Sequence, residues 1–154
     1  MIELVLPYPI SANRYWATRV IKAKATGKWM AMTYVTPEAK TYKDQVAKVA
    51  RAAGIGAPLV GRFEMAVRLY PHRPLDWQKR MRQLGDAWDD SVQCIDLGNC
   101  EKVLSDALQG NVFDNDKAAR RIVLERMEPD EHGARLVVRI AARPAVKRQL
   151  ELVA

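Results

Sequence analysis

The chain has 154 residues, is 49% hydrophobic and carries a formal net charge of +7. This length and apolar content suit one domain with its own core. Because the sequence has no bilayer-length apolar run and no signal-like start, we expect a cytoplasmic protein with no membrane partner. The excess of positive charge predicts a polyanionic partner such as nucleic acid.

The first part of the chain predicts a strand followed by a basic hairpin. Residues 3–6 form a strand that ends at Pro7, since proline cannot donate a hydrogen bond inside a sheet. Residues 11–18 are predicted to be a loop. Residues 19–24 and 28–34 flank a three-residue connection with glycine, which is a length that hairpins use.

The middle of the chain predicts a helix, a strand and a short basic helix. Thr36 as N-cap and Pro37 at the first helical position begin the helix, which Gly54 ends. Alternating apolar residues over 63–69 predict a half-buried strand. Residues 76–84 predict the short basic helix.

The remaining elements complete an α+β pattern. Apolar residues at helical spacing from Leu97 to Leu108 predict an amphipathic helix that ends near Gly110. Residues 120–127 and 135–141 predict two strands. The order of elements predicts a single α+β domain with a mixed sheet and helices packed on one side.

An acidic segment interrupts the otherwise basic chain. Residues 86–116 hold eight acids against one base, and the rest of the chain holds ten acids and 24 bases. In the predicted helix Asn99, Lys102 and Asp106 share one polar face, and Asp96 lies at its entrance. Carboxylates so grouped suit Mg²⁺, which takes oxygen ligands together with substrate phosphate.

The same segment also permits a structural interpretation. It is then a solvated acidic surface, in which Asp96 caps the helix, Asp106 pairs with Lys102 and residues 114–116 form a turn. The spacing of the residues does not decide between the two.

A DNA-binding set is predicted near the amino end, where positive charge is mixed with aromatic rings that can stack on exposed bases. Its members are Asn13, Arg14, Tyr15, Trp16, Lys22, Lys24 and Lys28. For the two aromatic residues the alternative is core packing, and for the lysines it is a solvated edge strand. Elsewhere, Trp29, Trp77 and Trp88 suit the core, an interface or a DNA wedge equally. The isolated His72 and His132 are assigned no catalytic role.

Two spaced motifs resemble the RusA family of Holliday-junction resolvases, which is met in bacteria and their prophages. In that family Asp-x-Asp-Asn-x-x-Lys leads into Asp-Ala-Leu, a glycine turn and a closing aspartate pair, as residues 96–116 do here in large part. Residues 7–16 are similar to the opening loop of the family. The helix that begins at Thr36 is similar to the helix that follows the basic hairpin in the family. The resemblance covers roughly residues 2–141 in the same order.

The resemblance implies roles for four residues. Asp96 matches the first catalytic aspartate, Asn99 the asparagine, Lys102 the essential lysine and Asp116 the final aspartate. It therefore implies a Mg²⁺-dependent endonuclease, with Mn²⁺ as the alternative metal. Asp96 and Asp116 would be the metal ligands, Lys102 would stabilise the charged phosphate, and Asn99 would join the DNA-binding set.

The sequence departs from the family pattern at two positions. Gly98 stands where the second aspartate is expected, and Asn115 where the first of the closing pair is expected. The missing carboxylate has three candidate replacements. They are Glu101, which lies about 60° further around the helix, one of Asp89 and Asp90, and a water molecule. Without a replacement, the protein would bind junctions without cutting them.

The predicted function is resolution of four-way junctions by paired metal-dependent nicking in DNA recombination and repair. The resemblance also implies a homodimer, which suits a two-fold symmetric junction that needs two matched nicks. We expect a RusA-like domain over residues 1–142, a basic tail over 143–154, no small-molecule cofactor, and a bacterial, nucleoid-associated location. The alternatives are a non-cleaving module that binds junctions or single strands, and a protein-binding regulator that uses the acidic face.

Overall fold

The structure is a computed structural model that describes residues 1–146. Short 3₁₀ helices at Gly85–Ser91 and Asp116–Ala118 accompany the main elements. The last part of the predicted tail, residues 147–154, lies outside the described residues. In chain order the main elements are β1 (Ile2–Pro7), α1 (Ala12–Tyr15), β2 (Trp16–Lys22), β3 (Trp29–Val35), α2 (Pro37–Ala52), β4 (Phe63–Tyr70), α3 (Trp77–Leu84), α4 (Leu97–Leu108), β5 (Ala119–Arg126) and β6 (Arg135–Ala142).

Four strands form one mixed sheet in the order β1-β6-β4-β5, with β4 and β5 parallel and the other neighbours antiparallel. The parallel pair is joined through α4, since parallel strands need a long crossover. Pro7 and Tyr70 are both register partners of Arg135, whereas Ala119 is the register partner of Phe63 at the opposite edge of the sheet. The chain segments that follow β1 and β4 therefore leave the same edge of the sheet.

One face of this sheet carries the core. Its side chains alternate along β4, where Phe63, Met65, Val67 and Leu69 are all buried. Helices α2 and α4 pack against each other and cover this face with the buried parts of their amphipathic surfaces. The predicted α+β class and mixed sheet are confirmed. No helix among residues 1–146 is long and apolar enough to cross a membrane.

The predicted loop over residues 11–18 is wrong, because it contains α1 and the start of β2. The backbone amides of Arg14 and Tyr15 both donate to the carbonyl of Ser11 at 3.0 Å, which closes one helical turn. Tyr15 is fully buried and fixes this turn to the core. A single turn is too short to show helical periodicity in the sequence.

The predicted hairpin is confirmed, but it forms a two-stranded sheet of its own. Its register runs from Trp16 opposite Val35 to Lys22 opposite Trp29, so its first arm begins three residues earlier than predicted. The backbone amide of Thr36 donates to the carbonyl of Tyr15 at 2.9 Å and closes the base of the hairpin.

The long connection between β4 and α4 is fixed to the body of the protein. Trp88 is buried, and its Nε1 donates to Glu128 Oε1 at 2.7 Å. The guanidinium of Arg126 donates to the backbone carbonyls of Asp89 and Val92 at 2.8 and 3.0 Å. The residues that lead into α4 are therefore held in place.

Candidate active site

The amino end of α4 is capped by Asp96. Its Oδ1 accepts a hydrogen bond from the backbone amide of Asn99 at 2.8 Å, and its Oδ2 accepts one from the Asn99 side chain. The predicted capping role of Asp96 is confirmed. A carboxylate offers about four lone-pair sites, and the residue is exposed. Capping therefore leaves Asp96 able to bind a cation as well.

Asp96 and Asn99 line a cleft of about 860 Å³. The segments after β1 and β4 meet there because both strands end at the same edge of the sheet. The hydroxyl of Tyr8 accepts a hydrogen bond from the backbone amide of Ile95 at 2.8 Å and joins the opening segment to the start of α4. The other lining residues are Pro9, Ile10, Ser11, Arg14, His72, Pro74, Arg80, Val92, Gln93, Cys94 and Ala134.

The cleft combines one carboxylate with basic side chains. Arg14, His72 and Arg80 line it together with Asp96. Arg80 is held by Asp76, with its Nε 2.8 Å from Asp76 Oδ1. Basic groups around a single carboxylate suit a phosphate group together with a cation. His72 and Arg80 were not predicted from the sequence to belong to the site, although both follow the predicted strand β4, whose end sets the position of the cleft.

The predicted pairing of Asp106 with Lys102 is wrong. Asp106 accepts a hydrogen bond from the hydroxyl of Tyr15, and its Oδ2 lies 3.1 Å from Lys43 Nζ. Burial, together with this hydrogen bond, raises the pKa of Tyr15. Asp106 thus links α4 to α1 and α2. Lys102 is exposed and makes no ion pair with any residue of 1–146, so its charge is available to a ligand.

The departure from the family pattern lies directly beside Asp96. A Cβ added to Gly98 would lie 3.4 Å from Asp96 Oδ1. Glu101 Oε1 accepts a hydrogen bond from Ser105 Oγ at 3.1 Å, one turn further along α4 and away from Asp96. Asp90 is exposed in the 3₁₀ helix before α4. Within residues 1–146 no three His, Cys, Asp or Glu side chains are grouped closely enough to hold a metal.

Asp116 does not lie close to Asp96 within one chain. Helix α4 is about 18 Å long and runs away from the cleft towards the sheet edge at which β4 and β5 begin. Beyond α4, Phe113 forms a bridge with Leu59, which precedes β4. Asp116 follows and lies just before β5, in the 3₁₀ helix that Asn115 caps. The two predicted metal ligands therefore lie at opposite edges of the sheet.

The predicted DNA-binding residues fall into two groups. Tyr15 is fully buried, so the alternative of core packing holds for it and its ring is not available to a base. Trp16 is half-buried and packs on Tyr15, with ring centroids 4.4 Å apart. The remaining members near the amino end are exposed, namely Asn13, Arg14, Lys22, Lys24 and Lys28, whereas Asn99 on α4 is half-buried.

The model of the endodeoxyribonuclease RusA family matches residues 7–141. Comparison with curated proteins gives no match. The matched span begins at the end of β1 and reaches β6, so it includes the cleft, α4 and the segment with Asp116. The resemblance inferred from the two sequence motifs is confirmed, and the chain belongs to the RusA family of endodeoxyribonucleases.

Proposed function

We propose that the protein is a structure-selective DNA endonuclease that resolves four-way junctions by metal-dependent paired nicking. The observation that carries the proposal is the cleft at the amino end of α4, in which Asp96 lies among Arg14, His72 and Arg80. The basic side chains attract the phosphodiester, and the carboxylate provides an oxygen ligand for a cation beside it.

Mg²⁺ fits the donor chemistry of this cleft, with Mn²⁺ as the alternative. Proteins commonly hold Mg²⁺ through one or two carboxylates, and substrate phosphate and water complete the coordination. Asp96 would hold the ion, which supplies a hydroxide nucleophile at neutral pH and offsets phosphate charge when bound. Arg14 and Arg80 bind and orient the scissile phosphate, while Asn99 keeps the Asp96 carboxylate in position.

Lys102 is proposed to stabilise the negative charge that develops on the phosphate. It lies on α4 six residues after Asp96, which is about 9 Å along the helix axis. Its side chain is exposed, and it lies three residues after Asn99, which lines the cleft. A positive charge that meets the transition state in this way lowers the barrier to hydrolysis.

We infer that the active form is a homodimer. Two matched nicks in a two-fold symmetric junction need two symmetric active sites. Because Asp96 and Asp116 lie at opposite edges of one sheet, Asp116 would serve as a ligand beside Asp96 only if a second copy supplied it. Glu101 and Asp90 are the alternatives within the same chain, and Glu101 would first have to release Ser105.

The test is cleavage of a synthetic four-way junction with Mg²⁺, compared with a linear duplex. Asp96→Asn removes the charge but keeps the cap, because Asn and Asp cap helices equally well. Asp44→Asn, an exposed carboxylate on α2, is the matched control. We expect the control to cut like wild type and Asp96→Asn to lose about 100-fold or more. Equal cleavage by Asp96→Asn would show that the site is wrongly assigned.

A second candidate function is binding of junctions or single strands without cleavage. Gly98 in place of the expected aspartate favours it, as does the lack of a three-residue acidic group within residues 1–146 of one chain. Such a module would shift the mobility of the junction but leave it intact with either Mg²⁺ or Mn²⁺. A regulator that binds proteins would instead show no salt-sensitive affinity for DNA.

A further inference from the structure

We propose that the hairpin arm, residues 16–35, stacks Trp29 on unpaired or unstacked bases near the branch point of the DNA. This inference rests on the proposed function and identifies the feature of the substrate that the arm recognises. It also gives a role to an exposed tryptophan that lies outside the cleft.

The hairpin arm leaves several of its large apolar side chains exposed. Among its described hydrophobic side chains, Trp16 and Val35 at its base pack against the core. Further out, Trp29 is 70% exposed, Val20 67% and Met30 52%. A two-stranded hairpin is only marginally stable in water without further packing, and exposed apolar surface of this kind marks a binding site.

One face of the arm pairs an aromatic ring with a cation at its far end. Lys22 lies opposite Trp29 in the register, with its Nζ 6.0 Å from the centre of the indole ring. Val20 and Ala31 are the next pair on this face. A flat ring that stacks on a base, next to an ammonium group that binds the adjoining phosphate, is the usual combination for binding single-stranded nucleic acid.

The charge of the arm favours nucleic acid over a second copy of the chain. The arm contains four bases and no acid: Arg19, Lys22, Lys24 and Lys28. Two such arms packed on each other would bring like charges together, whereas phosphates complement them. A linear duplex keeps its bases stacked inside the helix. The exposed indole therefore finds its partner where the duplex is interrupted.

The arm begins at the rim of the cleft. Arg14 lines the cleft and lies two residues before β2 starts at Trp16. Seven residues per strand give the arm a reach of about 20 Å, or about six base steps of 3.4 Å. We therefore expect the stacking contact to fall within about six nucleotides of the nick.

Trp29→Ala and Trp29→Phe test this inference in the full-length protein. Binding to a four-way junction and to a linear duplex is measured by fluorescence anisotropy in EDTA, over a range of salt concentrations. We expect Trp29→Ala to weaken junction binding about 10-fold or more and Trp29→Phe to retain most of the affinity. Val60→Ala removes an equally exposed apolar side chain outside the arm and is the control for exposed surface.

The salt dependence separates stacking from phosphate binding. Trp29→Ala should leave the slope of affinity against salt unchanged, whereas Lys24→Ala should reduce it by about one unit. The inference is overturned if Trp29→Ala keeps the junction affinity, or if it loses junction and duplex binding equally. It is also overturned if the substitution changes the oligomeric state without DNA, because the arm would then bind a second copy.

These outcomes differ from a failure of the proposed function. If the wild-type protein shows no preference for the junction over the duplex, the proposed function and the arm inference both fail. If wild type prefers the junction and Trp29→Ala keeps that preference, the inference about the arm alone is wrong.

Discussion

Replacing Gly98 with aspartate tests whether the amino end of α4 is a metal-binding position. A Cβ there would lie 3.4 Å from Asp96 Oδ1, and apart from the adjacent residues and the helix backbone it would meet no other atom within 4 Å, so the position has room for a Cβ. Two carboxylates about 5 Å apart repel by about 1 to 3 kcal/mol for effective dielectric constants between about 80 and 20. The helix dipole stabilises the added negative charge at the amino end of α4 by about 0.3 to 1 kcal/mol. Without metal, Gly98→Asp should therefore be less stable than the neutral Gly98→Asn by an amount between zero and about 2.7 kcal/mol.

Divalent metal should reverse this order. A cation bound between the carboxylates of residues 96 and 98 removes their repulsion, and each tenfold gain in affinity adds about 1.4 kcal/mol to the stability of the folded state. The assay is urea unfolding of wild type and both variants, in EDTA and in excess Mg²⁺. If Mg²⁺ stabilises Gly98→Asp no more than Gly98→Asn, the amino end of α4 is not where the metal binds.

Two further predictions concern stability. Tyr15→Phe should lower the free energy of unfolding by about 1 to 3 kcal/mol, because Asp106 loses a charge-assisted hydrogen bond. Urea unfolding measures this loss. The control is Tyr34→Phe, which removes the hydroxyl of an exposed tyrosine and should leave the stability unchanged. A hydrogen bond from Arg135 lowers the pKa of Asp130 from 3.8 to about 2. The stabilisation is therefore present above pH 4 and lost as the pH falls through about 2. The melting temperature of the Asp130→Asn variant should depend less on pH than that of wild type between about pH 5 and 2. An equal dependence on pH in the two proteins would contradict this.

The regular elements could be predicted from local chemistry. The N-cap at Thr36 with Pro37 behind it sets the start of α2, and the Thr36 side chain does accept from the backbone amide of Ala39. Alternation over residues 63–69 predicted β4, which spans Phe63–Tyr70, since one face of that strand meets the core. Helix α1 could not be predicted in this way, because tertiary burial of Tyr15 stabilises it rather than a repeating pattern.

The site could be predicted only in part. The motif identified Asp96 and Asn99, because both lie in one short stretch of sequence. His72 and Arg80 join them through strand register, which a single sequence does not specify. The separation of Asp116 from Asp96 has the same origin, since the crossover through α4 carries the chain to the opposite edge of the sheet.

The activity that we propose for this protein is the cutting of four-way junctions by paired nicks. Mapping of both incisions on a four-way junction whose strands are labelled separately tests it most directly, with wild-type protein in Mg²⁺ and in Mn²⁺. We predict two incisions at symmetric positions on opposing strands, with no cutting of the linear duplex. An intact junction that the protein nevertheless binds, or a duplex cut equally well, would contradict the claim.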